Sequence, residues 1–150
     1  MIDTIRRAYR GLDHLAPVAD LAVRLWVAPV FFKAGLVKLQ SWETTLLLFE
    51  YEYQVPLLSP EAAAYLGTGA ELVLPVLLAL GLAGRFAALA LFIFNVVAVI
   101  SYPALNGAGL DQHYVWGILL LVTVARGPGA LSLDRLIPLA ASLPRLARFG

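Results

Sequence analysis

The chain contains no cysteine, one methionine and two histidines, and only 14% of its 150 residues are charged. The missing cysteines remove disulfides, thiol redox chemistry, iron–sulfur clusters and thiolate metal sites. His14 and His113 lie far apart in sequence, so the chain has no local pair for a bis-histidine haem and is expected to hold neither haem nor metal. A net charge of +1 gives no electrostatic case for nucleic acid. Phosphate-binding glycine loops, HExxH and GxSxG patterns are absent as well.

What the chain has is apolar sequence. Hydrophobic residues make up 61% of it, against a charged share of about a quarter in an ordinary soluble domain. The apolar runs are long and continuous, unlike the short alternating segments of a barrel. The expected fold is all-α: an integral membrane four-helix bundle forming a single domain over residues 1–150. Spans are expected at about 17–38, 62–83, 86–103 and 112–126, the last one short for a bilayer. Trp42–Tyr53 has a helical pattern and aromatic residues suited to a membrane interface, so a short external interfacial helix is expected between spans one and two. Gly84 is placed as a helix C-cap in the tight second hairpin, and residues 131–150 as an amphipathic cytoplasmic tail.

The basic residues are distributed unevenly. Arg6, Arg7, Arg10, Arg85, Arg126, Arg135, Arg145 and Arg148 fall on one side of these spans, and Lys38 on the other, with Glu43, Glu50, Glu52, Glu61 and Asp111. The positive-inside rule then puts both termini in the cytoplasm of a bacterial inner membrane, leaves an acidic outer face and makes the first span an uncleaved anchor.

Glu71 is the only charged residue between Glu61 and Arg85. A carboxylate near mid-span costs on the order of 3 kcal/mol and faces protein interior. Arg24 in span one and Asn95 in span three fall at comparable depth, so a shared polar core of Arg24, Glu71 and Asn95 is expected. Asp20 is one turn from Arg24 and can pair with it, while Lys33 points the other way and reaches the headgroups. The core reads either as an ion pair that sets helix packing or as a proton or quinone-head-group site. An outer cluster of Trp42, Glu50, Glu52, Tyr102, Asn106, His113 and Trp116 is expected too. In it His113 caps the fourth span, protonates, or hydrogen-bonds a quinone carbonyl.

Three segments together carry a family resemblance: Arg24-Leu-Trp-Val-Ala-Pro-Val-Phe-Phe-Lys-Ala-Gly-Leu-Val-Lys38, Gly67-Thr-Gly-Ala-Glu-Leu-Val-Leu-Pro75 through Gly84-Arg85, and Gly127-Pro-Gly-Ala-Leu-Ser-Leu-Asp134. Over about residues 18–135 the chain resembles the DoxX family of small four-helix bacterial membrane proteins, named for a membrane subunit of a thiosulfate:quinone oxidoreductase. The residues matching its polar pattern are Arg24, Lys38, Glu71 and Arg85. The resemblance implies a redox-associated inner-membrane protein, a quinone-interacting subunit passing electrons from a periplasmic partner protein to the quinone pool. Glu71 and Arg24 would then act on the head group, with Asn95, Phe31, Trp26, His113 and Lys38 holding the quinone. The alternatives are a non-enzymatic scaffold or accessory protein of a metal- or oxidative-stress system, and a small transporter acting as a homo-oligomer.

Overall fold

The computed structural model describes residues 14–137. The N-terminal arginines, the prolines and arginines of the tail beyond residue 137, and most of the expected amphipathic tail lie outside that range. Within it the chain is all-α, and no strand occurs among the described residues. The helices are α1 (Ala16–Gln40), α2 (Trp42–Tyr51), α3 (Pro60–Leu80), α4 (Gly84–Ser101), α5 (Gly107–Arg126) and a single turn, α6 (Leu133–Leu136).

Local chemistry starts and stops these helices. Pro17 and Pro60 occupy the first turns of α1 and α3, where the missing N–H goes unneeded. Ser59 caps α3 by accepting from the Ala62 N–H at 3.3 Å. α3 ends at Gly81 (φ +65°), not at Gly84. A left-handed cap explains part of that choice. The rest is crowding, since a Cβ at Gly81 would come within 2.5 Å of Ser132 Cβ and 2.7 Å of an Arg24 guanidinium nitrogen. Gly84 instead opens α4. The Asp134 carboxylate caps that helix from fifty residues away, accepting from the N–H of Ala83 (2.7 Å) and Gly84 (2.8 Å).

α5 is longer than the sequence pattern suggests. It begins at Gly107 and runs for 20 residues, taking in Gly109 and Asp111, which read as loop. Glycine disfavours a helix interior by roughly 1 kcal/mol. Packing of α5 along α4 outweighs that, so the fourth long helix is of ordinary length.

α1 lies along α3, α4 along α5, and α3 along α4, with α1 also touching α5. The core contains Val27, Ala28, Phe31, Leu78, Ala87, Ala88, Leu91 and Leu120. Its small residues bring backbones close, as in membrane bundles that lack a hydrophobic drive between helices. One close approach is at Gly35 of α1, where a Cβ would stand 3.0 Å from both Glu71 Cβ and the Leu72 side chain of α3. α2 folds over the outer part of α3 through Phe49, Ala63 and Ala64. Thr45 ties it back to α1 by donating to the Lys38 carbonyl at 2.9 Å.

α3, α4 and α5 are long and apolar enough to cross a membrane. α1, at 25 residues, is about 37 Å long and outreaches the roughly 30 Å hydrocarbon core, but it carries Asp20, Arg24, Lys33 and Lys38. Leu, Val, Ile and aromatic side chains such as Leu66, Val73, Phe86, Ile93 and Ile118 point outward from the bundle. A contiguous apolar exterior of this kind belongs in lipid.

Two stability effects follow. Gly35→Leu forces α1 off α3 and is expected to destabilise by about 1–3 kcal/mol, read as a lowered thermal midpoint in detergent. Asp134→Ala uncaps α4 and is expected to cost about 1 kcal/mol, while Asp134→Asn recovers part of it.

Candidate functional site

The polar residues of the helices do not form one core. They divide between the two ends of the bundle.

At the end that holds the α3–α4 turn, Arg24 is fully buried. One guanidinium nitrogen donates to the carbonyls of Leu78 (3.2 Å) and Ala79 (2.7 Å), and the other to the carbonyl of Leu131. Leu78 and Ala79 are in the last turn of α3, where carbonyls lack helical partners and the helix dipole favours a cation. Arg24 thus fastens the segment after α5 to the end of α3. Asp20 does not pair with it. The Asp20 carboxylate accepts from the Arg126 Nε at 3.0 Å, bridging the start of α1 to the end of α5. Arg85 and Arg135 sit at this end too, one beginning α4 and the other in α6.

Toward the other end, Glu71 meets Lys38. The Lys38 Nζ donates to both carboxylate oxygens, at 2.8 and 2.7 Å. The side chains are 16% and 8% exposed, so the pair is largely withdrawn from solvent. The partner of Glu71 is therefore neither Arg24 nor Lys33. Lys33 is exposed on the outside of α1. Geometry selects Lys38: Gly35 sets α1 against the Glu71 Cβ, and Lys38, three residues on, lies on the same face.

Asn95 is buried, and its hydrogen bonds go to His113 and not to Glu71. Its Nδ2 donates to the His113 carbonyl at 3.0 Å, and its Oδ1 lies 2.7 Å from His113 Nδ1. His113 therefore joins α5 to α4 instead of capping α5, six residues inside the helix start. The edge of its ring meets Trp116, with centroids 4.8 Å apart.

Lys38, Glu71 and His113 line a cavity of about 590 Å³, which is within the usual size of small-molecule sites. Most of its wall is apolar, with Phe31, Phe94 and Trp116 in edge-to-face contact (Phe31–Phe94 6.3 Å, Phe31–Trp116 5.8 Å). Trp26 takes no part, being 69% exposed on the outer surface of α1. Two polar groups on the wall, Tyr53 and Ser101, were missed as site residues in the sequence. Tyr53 and Tyr102 stand edge to face at 5.2 Å, and Ser101, 3% exposed, keeps its hydroxyl unpartnered among the described residues. Burial first, then Tyr102, Glu52 and Glu71, push the Tyr53 phenol above its usual range, so it remains a neutral donor. Ser101 carried a readable signal, as a hydroxyl within an apolar span. Tyr53 carried none, because the loop after α2 has no period to place it.

The expected outer cluster comes together only in part. Tyr102, His113 and Trp116 line the cavity. Trp42 packs on Tyr65 at 4.7 Å, and Glu50, Glu52 and Asn106 face outward. Among the described residues no group of His, Asp and Glu is arranged to hold a metal ion.

The DoxX family model matches residues 19–104, which take in Arg24, Lys38, Glu71, Asn95 and Ser101. An uncharacterized protein of Haemophilus influenzae is 33% identical over 127 residues, which is 80% of this chain and 83% of that protein. No solved structure matches. With its apolar helices, its paired charges and this match over more than half its length, the chain belongs to the DoxX family of membrane proteins.

Proposed function

We propose that the chain is a quinone-interacting protein of the bacterial inner membrane, and that the cavity on the Lys38–Glu71 pair is its site. α1, α3, α4 and α5 all cross the bilayer, both termini lie in the cytoplasm, and α2 rests at the outer interface. The arginines gathered at the α3–α4 end support this orientation. So does the exposure of Glu43, Glu50, Glu52 and Glu61 on the elements at the other end. That acidic outer end is where a periplasmic electron donor would dock.

The single observation that carries the reading is the composition of the cavity: about 590 Å³ of mainly aromatic and aliphatic wall with a few convergent polar groups. The residues present fit a quinone ring. Phe31, Phe94 and Trp116 offer faces and edges for a flat apolar ring. The Ser101 side chain adds a small polar residue to that wall. Lys38 has a third N–H beyond the two given to Glu71. A bound quinone would supply two-electron, two-proton redox chemistry. The chain's own part is to hold the ring, exclude water from it and place proton-bearing groups along its edge. Arg24 and Trp26 are left out of this assignment because the bundle puts both elsewhere.

One observation favours a second reading, a scaffold without chemistry. Lys38 and Glu71 satisfy each other through two hydrogen bonds, as a purely structural pair would. The two readings separate on paired variants. Lys38→Met strands a buried carboxylate and is expected to destabilise by about 3–5 kcal/mol. Lys38→Met with Glu71→Leu is expected to restore most of that stability. On the quinone reading the wild type retains quinone through purification in detergent and the restored double variant has lost it, as shown by lipid extraction and chromatography. Equal quinone in both, or none in either, leaves the scaffold. The topology has its own check: a C-terminal green fluorescent protein fusion should fluoresce, and alkaline phosphatase inserted at Leu57 should be active.

A further inference from the structure

His113 is the other polar group on the cavity wall, and its hydrogen bonds determine what it offers a ligand. Its backbone carbonyl can only accept, so the Asn95 amide must turn Nδ2 toward it. Asn95 Oδ1 then faces His113 Nδ1 at 2.7 Å. An amide oxygen also only accepts, so the network assigns the proton to Nδ1. Reversing the amide would set two acceptors against each other at the carbonyl and lose that bond. A neutral ring protonated at Nδ1 has a bare lone pair at Nε2.

Nε2 has no partner among the described residues. It is also not one of the sealed polar atoms without a hydrogen bond, which are Arg24 Nε, Thr68 Oγ1 and Ser101 Oγ. It therefore keeps accessible surface, on a residue that lines the cavity. Asn95 is buried behind the ring and does not line it. The dyad is thus a fixed acceptor: α4 holds the ring and α5 presents its free nitrogen.

The two redox forms of a quinone meet such an acceptor differently. A ring carbonyl has only lone pairs and would face the lone pair of Nε2. A ring hydroxyl donates to it. Lys38 can donate to an oxygen of either form, so it sets little preference between the two. We propose that His113 Nε2 accepts a hydrogen bond from a ring hydroxyl of the ligand, with Asn95 a positioning residue, so that the cavity holds the quinol more tightly than the quinone. The inference rests on the quinone reading above and adds to it a redox preference and the residue that sets it.

The test is anaerobic titration of the purified protein with a decyl-substituted benzoquinone and the corresponding benzoquinol. The wild type is expected to bind the quinol about tenfold more tightly, the size of one well-made hydrogen bond to a buried acceptor. His113→Leu should remove that advantage and leave quinone affinity within about twofold. Nitrogen-15 NMR of the imidazoles, with His14→Gln to assign them, gives a readout independent of the variants' folding. The wild type should show the Nδ1–H form, with the Nε2 resonance shifting on quinol addition. Asn95→Leu should release the ring, raising the Nε2–H form and lowering the quinol-to-quinone ratio. If the wild type binds neither ligand, the quinone reading itself fails. If it binds both equally, if His113→Leu weakens both alike, or if Nε2 carries the proton, the acceptor role is overturned and the cavity reading stands.

Discussion

A carboxylate in an apolar bundle must have a partner or lose its charge, and the packing of this protein is organised around that constraint. Glu71 sits midway along α3 and is almost wholly buried. Lys38 supplies the partner because Gly35, one turn earlier, lets α1 lie against the Glu71 Cβ. The ion pair and the close approach therefore need each other. The attraction of buried charges depends on short distance, and the short distance depends on a residue with no side chain. The cavity borders the pair, so the polarity of its wall is set by the same contact.

The opposite end of the bundle meets the same requirement by other means. Arg24 is buried without a carboxylate partner, and its charge is met by carbonyls at the end of α3 and in the segment after α5. Asp134 completes the joint by capping α4. One cation and one anion thus satisfy helix ends in place of each other. The Gly-Pro-Gly-Ala-Leu-Ser-Leu-Asp segment is held as a structural clasp, and the cavity lies toward the opposite end. This division gives the polar residues separate places: Arg24, Asp20, Arg126 and Asp134 close the bundle, while Lys38, Glu71, His113, Tyr53 and Ser101 line the cavity.

Much of this was legible in the residues. The apolar runs marked the long helices, and Glu71 stood out as a charge needing a partner. Phe31, Gly35 and Lys38 could be seen to share a face of α1. The pairing was not legible. Arg24 and Lys38 are both cations on the buried side of α1, separated by about 21 Å of helix rise. Depth estimates from loop ends carry errors of a few residues and put Glu71 between Arg24 and Lys33. Asn95 was similarly placed with Glu71 by depth alone, because depth says nothing of which way a side chain turns around its helix. The start of α5 was misplaced for a different reason: two glycines weaken the local signal, and only packing on α4 overrides it.

The sequence by itself determined that this is an all-α membrane protein with a costly carboxylate in its second long apolar helix, because composition and hydropathy act locally and survive any arrangement of the helices. Only the tertiary structure decided which cation that carboxylate meets, that His113 and Asn95 form a unit of their own, and that Tyr53 and Ser101 border a cavity. Those contacts depend on the rotation and separation of neighbouring helices. These are set by packing between residues distant in the chain, above all where Gly35 lets two backbones meet.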